Sequence, residues 1–234
     1  MKHPTQRSKS IRRAGKLNGQ PPENSPKGQA TRERILDAAL SAFGAASFSE
    51  ATTRQIAEAA SVSLPTLQYY FEDKEGLYRA CAETILERYR GHVGTSGAAA
   101  REALQRNCSP EEARLQLKAL TAALGRFLFA SAEVGRWARF VTRELRDPGP
   151  AFEILYTGLW RPGVEVTARL VARVMSIPDD DPRARIRALL LISSLTALHS
   201  GGTIVMRTMR WSRVGADELA MVLSSVEAEI DTIH

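Results

Sequence analysis

Apolar residues recur at helical spacing from about residue 30 onward, and no stretch keeps the two-residue alternation of a strand, so the pattern predicts an all-α chain. The first run, ATRERILDAALSAFGAASFSEATT, sets Ile35, Leu36, Ala39 and Phe43 on one face. A shorter run starts at Thr52, which can cap a helix with Gln55 three residues on to complete a capping box, and turns Ile56, Ala59 and Ala60 inward. Ser61-Val62-Ser63 interrupts it with hydroxyls that compete for backbone groups, and Pro65 suits the first turn of a third helix. There Leu67 and Phe71 point inward at i, i+4 spacing. Leu64, Thr66, Gln68, Tyr69 and Tyr70 are left over the outer face and flanks.

Asp73 then caps a long helix through Leu77, Cys81, Ile85 and Arg88. A glycine-bearing break is expected over His92 to Ser96, followed by a short helix from Ala98 to Gln105. Ser109-Pro110-Glu111-Glu112 is a strong start for a helix carrying Leu115, Leu117, Leu120, Leu124, Phe127 and Leu128 to about Ala132. Val134 to Leu145 forms the next, with Trp137, Phe140 and Val141, and Asp147-Pro148-Gly149-Pro150 stops it. Phe152 to Met175 reads as helical with an interruption at Pro162. Asp181-Pro182 caps a helix expected to run through Met206, and Leu219 to Ile230 makes a last amphipathic one.

Two short helices joined by a tight turn form a unit that enters the major groove of DNA, and the third helix carries suitable chemistry. Gln makes a bidentate pair with adenine, Thr meets a thymine methyl, and Tyr hydroxyls reach phosphates. With these residues in view, TTRQIAEAASVSLPTLQYYFEDKEGLYRA resembles the N-terminal helix-turn-helix domain of TetR/AcrR-family transcriptional regulators. The resemblance covers about residues 30 to 90. It implies that Thr53 and Arg54 of the second helix lie against DNA, that Thr66, Tyr69 and Tyr70 are recognition-helix contacts, and that Lys74 meets a phosphate. Gln68 stands where an aromatic is common and Pro65 where glycine is common, so the operator of a relative cannot be transferred.

The resemblance further implies an N-terminal three-helix reader joined by a long helix to an all-helical ligand-binding and dimerisation domain. RELRDPGPAFEILYTGLWRP is similar to the CecR-like subgroup. The boundaries read as a basic tail at 1–29, disordered when free, a reader at 30–77 and the second domain at 78–234. In such regulators a helix pair packs on its two-fold mate as a four-helix bundle, which maps here onto residues 152–175 and 182–210. Ser193, Ser194, Ala197, Ser200, Gly201 and Gly202 would allow close approach.

Charge sharpens this picture. Residues 1–29 hold seven Lys/Arg and one acidic residue, 7 − 1 = +6, while residues 30–234 hold 25 of each sign, 25 − 25 = 0. The reader, residues 30–77, comes to 4 − 7 = −3, so its contacts must come from a few placed groups, with the tail supplying salt-sensitive attraction to phosphates. The tail equally fits a solvated segment that aids solubility. Cys81 and Cys108 are isolated and no secretory segment is evident, which points to the cytosol. The longest run without a charge, Ala188 to Met206, is interrupted by hydroxyls and glycines and fits a buried helix at a subunit interface better than a membrane span.

Trp137, Phe140, Arg143, Tyr156, Trp160 and His199 are the candidate lining of a pocket for a drug-sized, partly apolar effector. Each aromatic equally fits plain core, Arg143 a pairing with Glu144 or a helix terminus, and His199 a hydrogen-bonded core or interface histidine. Four scattered histidines and two cysteines give no metal spacing, and no phosphate loop or nucleophile elbow is present. The reading is therefore not an enzyme and needs no cofactor. It is a homodimeric regulator, a repressor of a palindromic operator released by a small molecule. The alternative is a DNA-bound scaffold whose second domain engages a protein.

Overall fold

The structure, a computed structural model, describes residues 25–130 and 134–234, the Arg136 side chain excepted; the tail over 1–24 lies outside the described residues. Every regular element described is helical. Helix α1 (Pro26–Ala45) starts four residues before the expected boundary, because Ser25 caps it by accepting from the Gly28 N–H and Pro26 fits its first turn. It buries Ile35, Leu36, Ala39, Leu40 and Phe43. Helix α2 (Thr53–Ala59) carries the Thr52/Gln55 capping box. Its inward positions are Ile56, Ala57 and Ala60; Ala59 is exposed, which corrects the expected face by one position.

Ser61 closes α2 in the left-handed region at φ 54°, and the Val62 N–H reaches the Ala57 carbonyl at 2.9 Å. That six-residue closure satisfies a carbonyl the helix end would otherwise leave open. Ser63 then caps α3 (Leu64–Tyr70), where Leu67, Tyr70 and, just beyond, Phe71 turn inward. The spacing i, i+3, i+4 explains why Tyr70, expected outside, is inside.

Helix α4 (Lys74–Gln105) is capped by Asp73, whose Oδ1 accepts from the Gly76 N–H at 2.7 Å. It runs 32 residues without the break expected at His92 to Ser96. An interior glycine costs about 1 kcal/mol relative to alanine. Here Val93, Gly97, Ala100, Ala103 and Leu104 are buried, and α4 packs along α5 (Pro110–Ala130), so tertiary burial outweighs local propensity.

Helix α6 (Val134–Arg146) packs on α1 and so joins the second domain to the reader. After it, α7 (Phe152–Leu155) passes through a π-helical turn at Tyr156–Trp160 into α8 (Arg161–Val174). Pro162 supplies no N–H and crowds the carbonyl four residues back, which widens the turn before it. Gly158 lies within that turn where a Cβ would stand 2.5 Å from Leu86 Cδ1. Helix α9 (Pro182–Ser200) does not continue to Met206. It bends by 84° into α10 (Gly202–Met209), with Gly202 at φ 28°. Helix α11 (Ala216–Asp231) returns onto α5, where Lys118 pairs with Asp231 at 2.7 Å and Arg114 donates to the carbonyls of Ile230 and Ile233.

No single described helix is long and apolar enough to cross a membrane. The charge-free run is not a wholly buried helix: Ala188, Leu191 and Leu195 face the core, whereas Leu189 and Leu190 are exposed. Within the bundle half expected at 152–175, Tyr156 is exposed and Phe152 and Trp160 half-buried, while α8 is taken up by the subunit's own core. Helix α8 encloses Val166, Ala168, Leu170, Val171, Ala172 and Val174 within the subunit and has no apolar face left over; α9, α10 and α11 do.

Candidate DNA-reading face and the junction behind it

Two caps place the candidate reading residues of α2 and α3. The Thr52 and Ser63 hydroxyls each accept from a backbone N–H three residues on, at 3.2 Å, so α2 and α3 begin at fixed points. The Thr66 hydroxyl lies 2.8 Å from that of Ser63 and takes part in the cap, which fixes its rotamer. Outside, Arg54 and Gln68 are exposed, Tyr69 is 46% exposed, and Pro65 fronts the first turn of α3; Thr53 and Leu64 are half-buried beside them. Tyr70 stacks edge-on against Tyr69 at 5.2 Å, and its buried hydroxyl has no partner among the described residues.

Lys74 sits at the start of α4 but is already oriented. Its ammonium donates to the Ser49 carbonyl at 3.2 Å and lies 4.9 Å from the Phe48 ring centroid. The Ser49 loop is shaped by Glu50, which accepts from the Ser47 N–H at 2.9 Å and the Ser47 hydroxyl at 2.7 Å. Those bonds hold its carboxyl below the usual range. The ammonium retains donors for a phosphate without a search over rotamers.

The six candidate pocket residues do not converge. Trp137 and Phe140 are core, 2% and 0% exposed, and the guanidinium of Arg88 covers the indole at 5.4 Å. Tyr156 is exposed and stacks on Phe152 at 5.9 Å, with half-buried Trp160 5.8 Å from that same ring. His199 stands edge-on to Phe129 at 5.6 Å, where burial lowers its pKa. A hollow of about 790 Å³ lies between α1 and α2, and an apolar groove of about 530 Å³ between α9 and α11; none of the six lines either. Among the described residues no His, Cys, Asp or Glu cluster could hold a metal.

Arg143 does something else. Its guanidinium donates to the Ala45 carbonyl at 3.3 Å, at the end of α1. The next residue, Glu144, is 1% exposed and accepts from the Tyr78 hydroxyl at 2.5 Å and from the Gly149 N–H at 3.1 Å. Tyr78, on the first turns of α4, is enclosed by Phe43, Phe48 and Phe140 with ring centroids 4.7 to 4.9 Å away. Burial and the facing carboxylate push its pKa far above the ordinary phenol range. Consecutive residues of α6 thus grip α1 and α4. Of the two partners the sequence offers Arg143, Glu144 or a helix terminus, it meets the terminus; Glu144, which continues the Trp137, Phe140, Val141 stripe at helical spacing, turns inward to Tyr78.

Residues 35–81 match the family model described as "Bacterial regulatory proteins, tetR family", and residues 113–233 match that for "HTH-type transcriptional dual regulator CecR, C-terminal domain". The HTH-type transcriptional dual regulator CecR of Shigella flexneri is 26% identical over 217 residues, covering 91% of this chain and 95% of that protein. Among solved structures, a TetR-like transcriptional regulator from Rhodococcus sp. RHA1 superposes with a TM-score of 0.58 at 20% identity, over 85% of this chain and 94% of that one. The FadR regulator of Bacillus subtilis, solved with stearoyl-CoA, gives a TM-score of 0.52 at 16% identity, over 86% and 98%.

Proposed function

The chain belongs to the TetR family of DNA-binding transcriptional regulators, and from that premise we propose that it is a homodimeric, one-component repressor of a palindromic operator, released by a small molecule in the second domain. The carrying observation is the capped α3, with Gln68 and Tyr69 outward on a reader clamped to α4 and α6. A seven-residue helix is only about 10 Å long and meets few base pairs, so a two-fold pair reading successive major grooves supplies the missing specificity. Thr53, Arg54, Leu64, Pro65, Thr66, Gln68, Tyr69, Tyr70 and Lys74 form the DNA face, working in the cytoplasm. Support for an apolar effector comes from the FadR structure, which holds stearoyl-CoA.

A second reading, a scaffold whose second domain holds a protein, draws on the open groove between α9 and α11. It weakens if a second copy of the chain fills that groove. To test the first reading, bound fragments are selected from random DNA and their affinity measured by mobility shift. Arg54→Ala and Tyr69→Ala are each expected to lose at least tenfold in affinity, since a good base or phosphate contact is worth about 1–3 kcal/mol, with the dimer intact. Unchanged affinity for the selected palindrome would remove these residues from the contact face.

A further inference from the structure

Helix α3, the helix placed to enter the groove, carries no Lys, Arg, Asp or Glu from Leu64 to Tyr70. The cations that border it are held elsewhere: Arg32 lies over the Phe71 ring at 5.4 Å, and Lys74 is anchored on the Ser49 carbonyl and the Phe48 ring. Arg54 stands on α2, the helix that crosses the phosphate backbone in this class of motif. The bidentate arginine or lysine that commonly reads guanine, and the carboxylate that reads cytosine, are thus both missing from α3.

What α3 does present is of two kinds. Gln68 is exposed, and its amide forms no hydrogen bond among the described residues. An amide donates and accepts side by side, which matches the N6 amino donor and N7 acceptor of adenine. Guanine offers two acceptors there, O6 and N7, and leaves the amide oxygen facing another oxygen with no proton between them. One turn back, the tip of the helix is uncharged: Leu64 is half-buried, Pro65 exposed, and the Thr66 hydroxyl held 2.8 Å from that of Ser63. Leu64 and Pro65 offer no acceptor to the amino group of cytosine, whereas a thymine methyl meets apolar atoms. Tyr69, its ring set edge-on to Tyr70 at 5.2 Å, offers a single hydroxyl and no paired edge. Leu64 and Gln68 share one side of the helix at i, i+4, about 6 Å apart along its axis. That is the span of about two base steps at ~3.4 Å each.

We propose that α3 selects A·T pairs: Gln68 takes the N7 and N6 edge of one adenine, and Leu64 with Pro65 packs on the methyl of a thymine within about two base steps of it. This rests on the DNA-face reading above and names the class of base pair that the face recognises. Phosphate contacts from Arg54 and Lys74 fix the register without choosing among sequences. Discrimination on this helix therefore comes from one amide and a small apolar tip.

The full chain and its Gln68→Ala and Gln68→Arg variants are each used to select fragments from random DNA, with far-UV circular dichroism to confirm folding. Wild type should enrich a fixed A·T pair in each half-site, Gln68→Ala should lose the preference at that position alone, and Gln68→Arg should move it to guanine. Single-base analogues in the wild-type site then separate the two contacts. 7-Deazaadenine at that position, which lacks the N7 acceptor, should weaken wild type about fivefold and leave Gln68→Ala unmoved. Uracil for the neighbouring thymine, which removes one methyl, should cost both proteins about fourfold. G·C pairs at these positions, or an adenine preference kept by Gln68→Ala, would overturn the assignment and leave the operator standing. A site enriched as a single copy, with the same response to Gln68, would sink the palindrome and leave the assignment standing. Enrichment of no sequence by wild type would sink both.

Discussion

Tyr78→Phe removes one oxygen from a buried hydrogen bond between two side chains 66 positions apart. The ring is retained, so packing against Phe43, Phe48 and Phe140 is unchanged and no cavity of consequence forms. What is lost is the 2.5 Å hydrogen bond to Glu144, a carboxylate 1% exposed that keeps only the Gly149 N–H as partner. A hydrogen bond to a charged group is worth about 1.5–3 kcal/mol, and a buried acceptor left short of a donor sits at the upper end. The expected loss is therefore about 2–3 kcal/mol, a large share of the 5–15 kcal/mol typical of a domain. Urea unfolding at fixed protomer concentration measures it, with an unchanged m-value showing that stability alone has moved. Glu144→Leu gives the second edge of a double-mutant cycle, where a coupling of about 1–2 kcal/mol is expected. A loss below about 0.5 kcal/mol, or strict additivity, would refute the assignment of this pair as the joint between α4 and α6.

Three further outcomes follow from named geometry. Gly158→Ala drives a Cβ into Leu86 and should lower stability by about 1–3 kcal/mol; wild-type melting would show that the π-helical turn yields freely. Cys81 is 0% exposed and burial pushes its thiol far up, so a thiol reagent at pH 8 should modify it only at the rate of opening, and rapid labelling of the folded chain would contradict its placement. Burial raises Tyr78, Cys81 and Tyr89 together, so the unfolded chain releases these protons first. Stability should be whole below about pH 8.5 and fall above it, by up to about 1.4 kcal/mol per pH unit for each group; a urea midpoint constant from pH 8 to 10.5 would count against all three.

Local chemistry was legible in the chain. Thr52 with Gln55, Ser63, Asp73 and Asp181 cap where their side chains and the following residues dictate, because a cap needs only neighbours within three positions. The reader was legible for the same reason, apart from the one-position error on α2 and the inward turn of Tyr70. Continuity through Gly91, Gly94 and Gly97 was not, since burial against α5 decides it and α5 lies beyond the local pattern. The pocket set failed on similar grounds. Aromatic type alone does not distinguish Trp137, sealed against Phe127 and Arg88, from Tyr156 on the surface. Arg143 meets a partner 98 positions away and Glu144 one 66 positions away, separations no spacing rule reaches.

An unbroken α4 has a mechanical corollary. Thirty-two residues at 1.5 Å each make a rod about 48 Å long, with the reader fixed at one tip. Tilting such a rod by about 5° around its far end carries that tip about 4 Å, and in the proposed dimer two rods swung oppositely would change their tips' spacing by about 8 Å, near a quarter of the ~34 Å between successive major grooves. A kink at the glycines would have absorbed that angle before it arrived.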